Sequence, residues 1–245
     1  MANWFTNYCL VLRWQILRIR FELPFFVLVE ALMATGIVIG FAFLYPNIDK
    51  QTALYLGTAA PTIILITLGI VIAPNTISQA KLAGIVDYMK SWPVPRMIYL
   101  AADATMWLMV ALPGIALGLL TAVLYFGISL NISWLVIPTF LLVFLTSIGV
   151  GYAIAYLLSP MITSLITQIV VFFVLLFSPI TFPVSRLPHW LALVHQILPV
   201  QYMAEVVRGT LATRDFEARP IAFFILGVWC LIGFITAHAA MTHQN

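Results

Sequence analysis

Polar and apolar positions along the chain alternate on a coarse scale, in six long blocks of nearly unbroken hydrophobicity at residues 24–45, 53–73, 97–126, 134–158, 161–180 and 220–238. Each approaches or exceeds the about 20 residues that a helix needs to cross a hydrocarbon layer. The third block is longer than a membrane requires and is expected to overshoot it or to begin with an interfacial turn. Between blocks, Pro46-Asn47 with Asp49-Lys50, the stretch 127–133 with Asn131, and Ser159-Pro160 pair turn formers with polarity. The last break is so short that the fourth and fifth helices must form a tight hairpin.

Residues 4–21 carry a different pattern. Leu10, Trp14, Leu17 and Phe21 recur at helical spacing, flanked by Arg13 and Arg20 on one side and Arg18 on the other. This predicts an amphipathic helix in the membrane interface with snorkelling arginines.

Two further segments are neither spans nor plain loops. Residues 75–96 are polar and charged, and the run from Gln79 to Lys90 predicts a short helix stopped by Pro93 and Pro95. Residues 181–219 are cut by Pro183, Pro188 and Pro199 into pieces of about ten residues, too short to span. Trp190, Leu191, Val194 and Leu198 make an apolar face on one piece. Backbone groups freed at these prolines need protein or water around them, so the pieces are expected to re-enter or rest in the membrane and cap the bundle. Tyr202, Glu205 and Arg208 follow at three-residue spacing, and Glu205 and Arg208 are placed to pair at i and i+3.

The fold class predicted is therefore an all-α integral membrane protein: an interfacial helix at 1–23, then a six-helix domain at 24–245 with short re-entrant helices before its last span. Composition agrees, with 63% hydrophobic and 8% charged residues and a mean hydropathy of +1.09, far from the charged quarter of a soluble domain. From 105 to 185 no Asp, Glu, Lys, Arg or His occurs. The apolar run after Pro24 is too long for a signal peptide's core and lacks a small-residue cleavage site, so it is read as a retained span. Cys9 and Cys230 lack pair spacing or His neighbours and read as small hydrophobes.

The net charge of +3 would suit nucleic acid, but the cations are scattered between spans rather than gathered on one face. No nucleic-acid partner is expected, and the cations report topology instead. An inside N-terminus puts Arg13, Arg18, Arg20, Lys81, Lys90 and Arg96 in the cytoplasm and Lys50, Arg186, Arg208, Arg214 and Arg219 outside, with both termini cytoplasmic. Two carboxylates fall within spans, Glu30 about 10 Å past Pro24 at 1.5 Å per residue and Asp103 in the third helix. Intramembrane charge is costly, so both are candidates for a transport pathway or its gate. The competing reading has each bonded to a neighbouring helix.

The chain holds no GxxxxGK[ST] phosphate loop, GxSxG elbow, His-Glu-x-x-His pair or CxxC pair, and no catalytic residue or metal ligand is assigned. His189 and His195, six apart, do not share a helix face and read as interfacial anchors. More specific are Pro183-Val184-Ser185-Arg186-Leu187-Pro188-His189-Trp190-Leu191 and then Leu198-Pro199-Val200-Gln201-Tyr202-Met203-Ala204-Glu205-Val206-Val207-Arg208-Gly209. Their order and spacing resemble the C-terminal signature of type-2 ABC transporter permeases, the ABC-2 family. Gly84, Asp87 and the turn Pro93-Val94-Pro95-Arg96 resemble that family's first cytoplasmic loop, although Gln79, Lys81 and Leu82 stand where the family is usually more acidic.

The resemblance implies a permease that dimerises around one pathway and docks a separate ATP-binding subunit, which would bind the ATP and Mg. It implies a bacterial-type plasma membrane and export of a drug, antibiotic or other small amphiphile; lipid-linked polysaccharide or lipid is the alternative cargo. It makes Lys81, Gly84, Asp87, Lys90, Pro93, Pro95 and Arg96 the expected ATPase-coupling residues. Pro183, Pro188, Trp190, Pro199, Tyr202, Glu205 and Arg208 become an expected extracellular lid. A non-transporting scaffold or an intramembrane enzyme stands as the reading from another class, and the charge-free stretch weighs against the enzyme.

Overall fold

The structure, a computed structural model, describes residues 4–45 and 47–243. Pro46, half of one expected turn, and the side chains of Lys90 and His243 lie outside the described residues. In chain order the helices are α1 (Trp4–Arg18), α2 (Leu23–Ala42), α3 (Lys50–Leu82), α4 (Ile85–Lys90), α5 (Arg96–Phe126), α6 (Val136–Leu157), α7 (Pro160–Phe177), α8 (His189–Ile197), α9 (Pro199–Leu211) and α10 (Pro220–His243). Six of them, α2, α3, α5, α6, α7 and α10, are long and apolar enough to cross a membrane. Among the described residues there is no strand, only an isolated bridge between Asn131 and Ala212.

The helix α3 is the axis of the molecule. Asp49 starts it by accepting a 2.9 Å bond from the Thr52 N–H, a normal N-cap. It is the most buried span, packed against α2, α5, α6, α7 and α9. Midway it widens into a π-helical stretch, Thr67–Ile72, where the Ala73 N–H reaches back five residues to the Leu68 carbonyl. Pro74 follows and has no N–H to give, and the Asn75 amide donates to the Val71 carbonyl at 2.8 Å. At this level α6 crosses at backbone contact: a Cβ on Gly151 would lie 2.0 Å from the Gly69 carbonyl oxygen. Only glycine permits so close an approach between helices in a membrane, where packing rather than hydrophobicity drives association.

Two expectations change here, and a third resolves to one of its two alternatives. Residues 75–82 continue α3 instead of opening a loop, because Ile77, Ser78 and Ala80 are buried against the flanking α6 and α7. The single helix expected from Gln79 to Lys90 is broken at Gly84, whose φ of +69° is a conformation glycine adopts without steric cost. The third span is one helix of 31 residues running through Pro113, about 46 Å long, with no interfacial turn at its start. In α1, Leu10 and Leu17 are exposed as an interfacial stripe requires, while Val11 and Gln15 are buried. Tyr8 donates to Thr105 at 2.7 Å and Gln15 to the Tyr99 carbonyl, which fastens α1 to α5.

Candidate functional site

At one end of the bundle α3 turns through Ala83 and Gly84 into α4, forming an elbow. Two of its cations point inward. Lys81 donates to the Ala155 carbonyl at 2.5 Å and to that of Tyr156 at 3.4 Å, in the last turn of α6. Arg96, at the start of α5, donates to the Met241 carbonyl near the end of α10. Both satisfy carbonyls that a helix C-terminus leaves unpaired and both complement its dipole. The elbow is thus stapled to the ends of two spans.

Trp92, which the sequence reading did not single out, completes the clamp. Its ring meets Trp14 of α1 at 5.1 Å, Tyr88 of α4 at 5.6 Å and Tyr99 of α5 at 5.8 Å. A tryptophan directly before Pro93, in a segment otherwise polar, was the available signal. What the clamp leaves on the surface is Leu82, Ala83, Gly84, Asp87, Tyr88, Ser91, Pro93 and Pro95. Leu82 and Tyr88 are 69% and 62% exposed, large side chains on a tip whose other exposed residues are small, proline, or the polar Asp87 and Ser91.

The structure does not bring the two intramembrane carboxylates together. Glu30 is fully buried against α5, where a Cβ on Gly114 would come within 3.1 Å of its own Cβ. Neither of its carboxyl oxygens has a hydrogen-bond partner among the described residues. Asp103 sits nearer the elbow and accepts the Tyr152 hydroxyl at 2.6 Å. It borders a 30 Å³ cavity with Gln15, Arg18 and Tyr156, room for one or two waters.

At the opposite end, Pro188 caps α8 and Pro199 opens α9, so the prolines do divide this segment as expected. Trp190 on α8 is 66% exposed. By contrast α9 is a wedge more than a cover, packed against α3, α6 and α10. Its Met203 meets the Ser147 hydroxyl, midway along α6, at 3.6 Å. The Tyr202 hydroxyl donates to the Gln196 carbonyl at 2.7 Å and ties the two short helices together.

The expected Glu205–Arg208 pair is not formed. Glu205 instead takes Arg219 in a two-pronged contact at 2.7 and 2.6 Å and also accepts the Arg219 N–H at 3.0 Å. These bonds hold the Arg219 guanidinium above its usual pKa. Arg208 is turned inward: its guanidinium lies 3.9 Å from the Tyr55 ring centre and 5.5 Å from that of Phe216, and it donates to the Ile180 carbonyl at 2.7 Å. Burial lowers its pKa to about 10, which keeps it charged at neutral pH. Cation–π contact on two rings and a carbonyl replaces the carboxylate as its partner.

His195 is wholly buried on α8, stacked on Phe173 at 5.4 Å with Nε2 3.0 Å from the Phe177 carbonyl. Burial pushes its pKa below the usual value. It is a packing group inside the protein and not the interfacial anchor expected of it, whereas His189 is exposed at the start of α8.

An exposed elbow stapled to the ends of two spans, five spans around the buried α3 and a wedge of two proline-started helices before the last span make up a membrane-spanning bundle with one protruding handle. A comparison of the sequence with curated proteins finds no match. The sequence profile described as ABC-2 type transporter matches residues 6–212, from the interfacial helix through α9. The chain belongs to the ABC-2 type transporter family and is a multi-pass transmembrane permease of an ABC transporter, a family whose permeases work with an ATP-binding partner subunit.

Proposed function

We propose that this chain is the membrane subunit of an ATP-driven exporter, two copies of which enclose one pathway for a drug-like, antibiotic or other small amphiphile. A separate ATP-binding subunit, with its ATP and Mg, grips the elbow. The observation that carries this reading is the elbow itself. Leu82 and Tyr88 stand exposed at the tip of the most buried span, on a turn that Lys81, Arg96 and Trp92 hold rigid. A push on that turn is delivered to α3 rather than dissipated in a loop. Large exposed side chains of this kind on a rigid turn suit a protein partner.

The second copy follows from α7. It is the least buried span, yet Ser164 and Gln168 are exposed on it. The Ser164 hydroxyl already donates to the Asn75 amide oxygen at 2.9 Å, but the Gln168 amide is poorly solvated by lipid tails, and a second α7 across a shared pathway would supply it with partner and water. The elbow then faces the cytoplasm of a bacterial-type plasma membrane, with α8 and α9 outside.

Coupling is tested by co-purifying the ATP-binding subunit with the wild type and with Gly84→Lys and Tyr88→Ala, alongside transport in vesicles. Loss of transport with membrane insertion intact supports the reading, and unchanged transport and co-purification sink it. Cysteine at Gln168 should cross-link two copies across the pathway. Export of a lipid-linked polysaccharide or lipid shares all this geometry, and vesicles loaded with each cargo separate the two.

A further inference from the structure

The largest cavity described, 810 Å³, lies at the end opposite the elbow, between the last turns of α2 and α7 and the start of α3. Thr181, Phe182 and Arg186 of its lining belong to the segment expected to cap the bundle, but none of the individual residues expected to form the lid or the pathway lines it. The two flanking spans are among the least buried of the six, so the cleft opens sideways to lipid as well as outward. Its lining has two tones. Phe41, Leu175, Leu176 and Phe182 are apolar, and Asp49 and Arg186 stand on the side beyond the helix ends.

These two charges are held differently from the others at this end. Glu205 and Arg219 neutralise each other, as do Lys50 and Asp215 at 2.7 Å. Asp49 is fixed by capping α3, and its bond to Thr52, with the nearby charge of Arg186 adding to it, keeps its pKa below the usual carboxylate range. Arg186 lies over the Tyr45 ring at 5.6 Å. Stacking occupies the face of a guanidinium and not its N–H donors, so they remain for a phosphate.

The geometry points to a binding site for a membrane amphiphile with a zwitterionic phosphate–ammonium head: the chain lies against Phe41 and Leu176, the phosphate on Arg186, the ammonium at Asp49. An anion alone would meet Asp49 unfavourably, and a cation alone would meet Arg186. The occupant is either a resident phospholipid or a passing amphiphile of the same chemistry. The site needs no ATP-binding subunit, so its failure and the failure of the exporter reading are separable.

The test uses the purified full chain in detergent and titrates it with a single-chain phosphoethanolamine lipid, read by native mass spectrometry. The corresponding single-chain phosphatidic acid serves as the anionic control. Leu176→Trp fills the cleft from an already exposed position, so folding is retained, and should weaken binding about tenfold or more. Arg186→Gln should weaken both lipids by about tenfold, the scale of one charge-assisted contact. Asp49→Asn keeps a capping side chain and should weaken only the phosphoethanolamine lipid. A phospholipid that survives purification and resists exchange identifies a resident, and rapid exchange a passing ligand; either places the occupant. Binding unchanged in Leu176→Trp, or equal losses for both lipids in Asp49→Asn, overturns the proposal.

Discussion

The two ends of α3 treat charge in opposite ways. At the elbow, Lys81 and Arg96 are spent on the carbonyl ends of α6 and α10, which leaves an outer surface headed by Leu82 and Tyr88. At the far end, Arg208 is folded inward onto Tyr55, and Glu205 with Arg219 and Lys50 with Asp215 close on each other. One end presents a surface for something else to hold; at the other these charges are bonded within the chain, and only the cleft at Asp49 and Arg186 stands open. On the function proposed above, force enters at the elbow and the far end keeps its shape.

The harshest way to break the comparison is to disturb what joins the two ends. Gly151→Ala drives a Cβ to 2.0 Å from the Gly69 oxygen, and the expected loss is at least about 3 kcal/mol. It would appear as little folded protein recovered and a large drop in thermal unfolding temperature. A variant that unfolds like the wild type would mean that α3 and α6 do not touch there. Next, Arg208→Ala should cost about 2–4 kcal/mol, since the position is buried and its partners lose their cation. Arg219→Ala, whose side chain is 60% exposed, should cost under about 1 kcal/mol. Equal losses in denaturant titrations would erase the distinction between an inward and a surface cation.

At the elbow the effect on stability should nearly vanish. Leu82→Asp alters a residue 69% exposed and should stay within about 0.5 kcal/mol of the wild type, while ATP-driven transport in vesicles is lost. The smallest effect is a slope with pH. Burial holds the folded His195 below its usual pKa, so the unfolded chain takes up a proton first. Its contribution is intact above about pH 6.5 and is lost as pH falls through that value toward the folded pKa. His195→Gln should flatten thermal stability between pH 7 and 5.

The six spans were legible in the sequence because a hydrocarbon solvent leaves few alternatives to a long apolar helix. The proline-cut pieces of 181–219 were legible for the same reason, since their length alone set them apart. What escaped depends on neighbours. Residues 75–82 look like loop until α6 and α7 cover Ile77 and Ala80. Arg208 has a carboxylate three residues away, and only the fold brings Tyr55 and Phe216 close enough to take it. Glu205 finds its cation 14 residues on. Lys81 and Arg96 stand out in the sequence as cations, but the carbonyls they reach on α6 and α10 are main-chain groups, and no side-chain pattern announces those.

The widened stretch Thr67–Ile72 has a consequence for how the chain tolerates changes of length. A π turn is an α-helix that has accommodated one surplus residue. Removing one residue there would let α3 revert to regular winding with everything beyond it still in phase, so the Asn75 amide would keep its 2.9 Å bond to the Thr167 hydroxyl and Lys81 the end of α6. Removing one from the regular turns that follow, where none is surplus, would swing the rest by about 100° around the axis and carry Lys81 off that end. The stretch thus acts as slack in the chain, a place where a residue can be lost while the elbow keeps its direction.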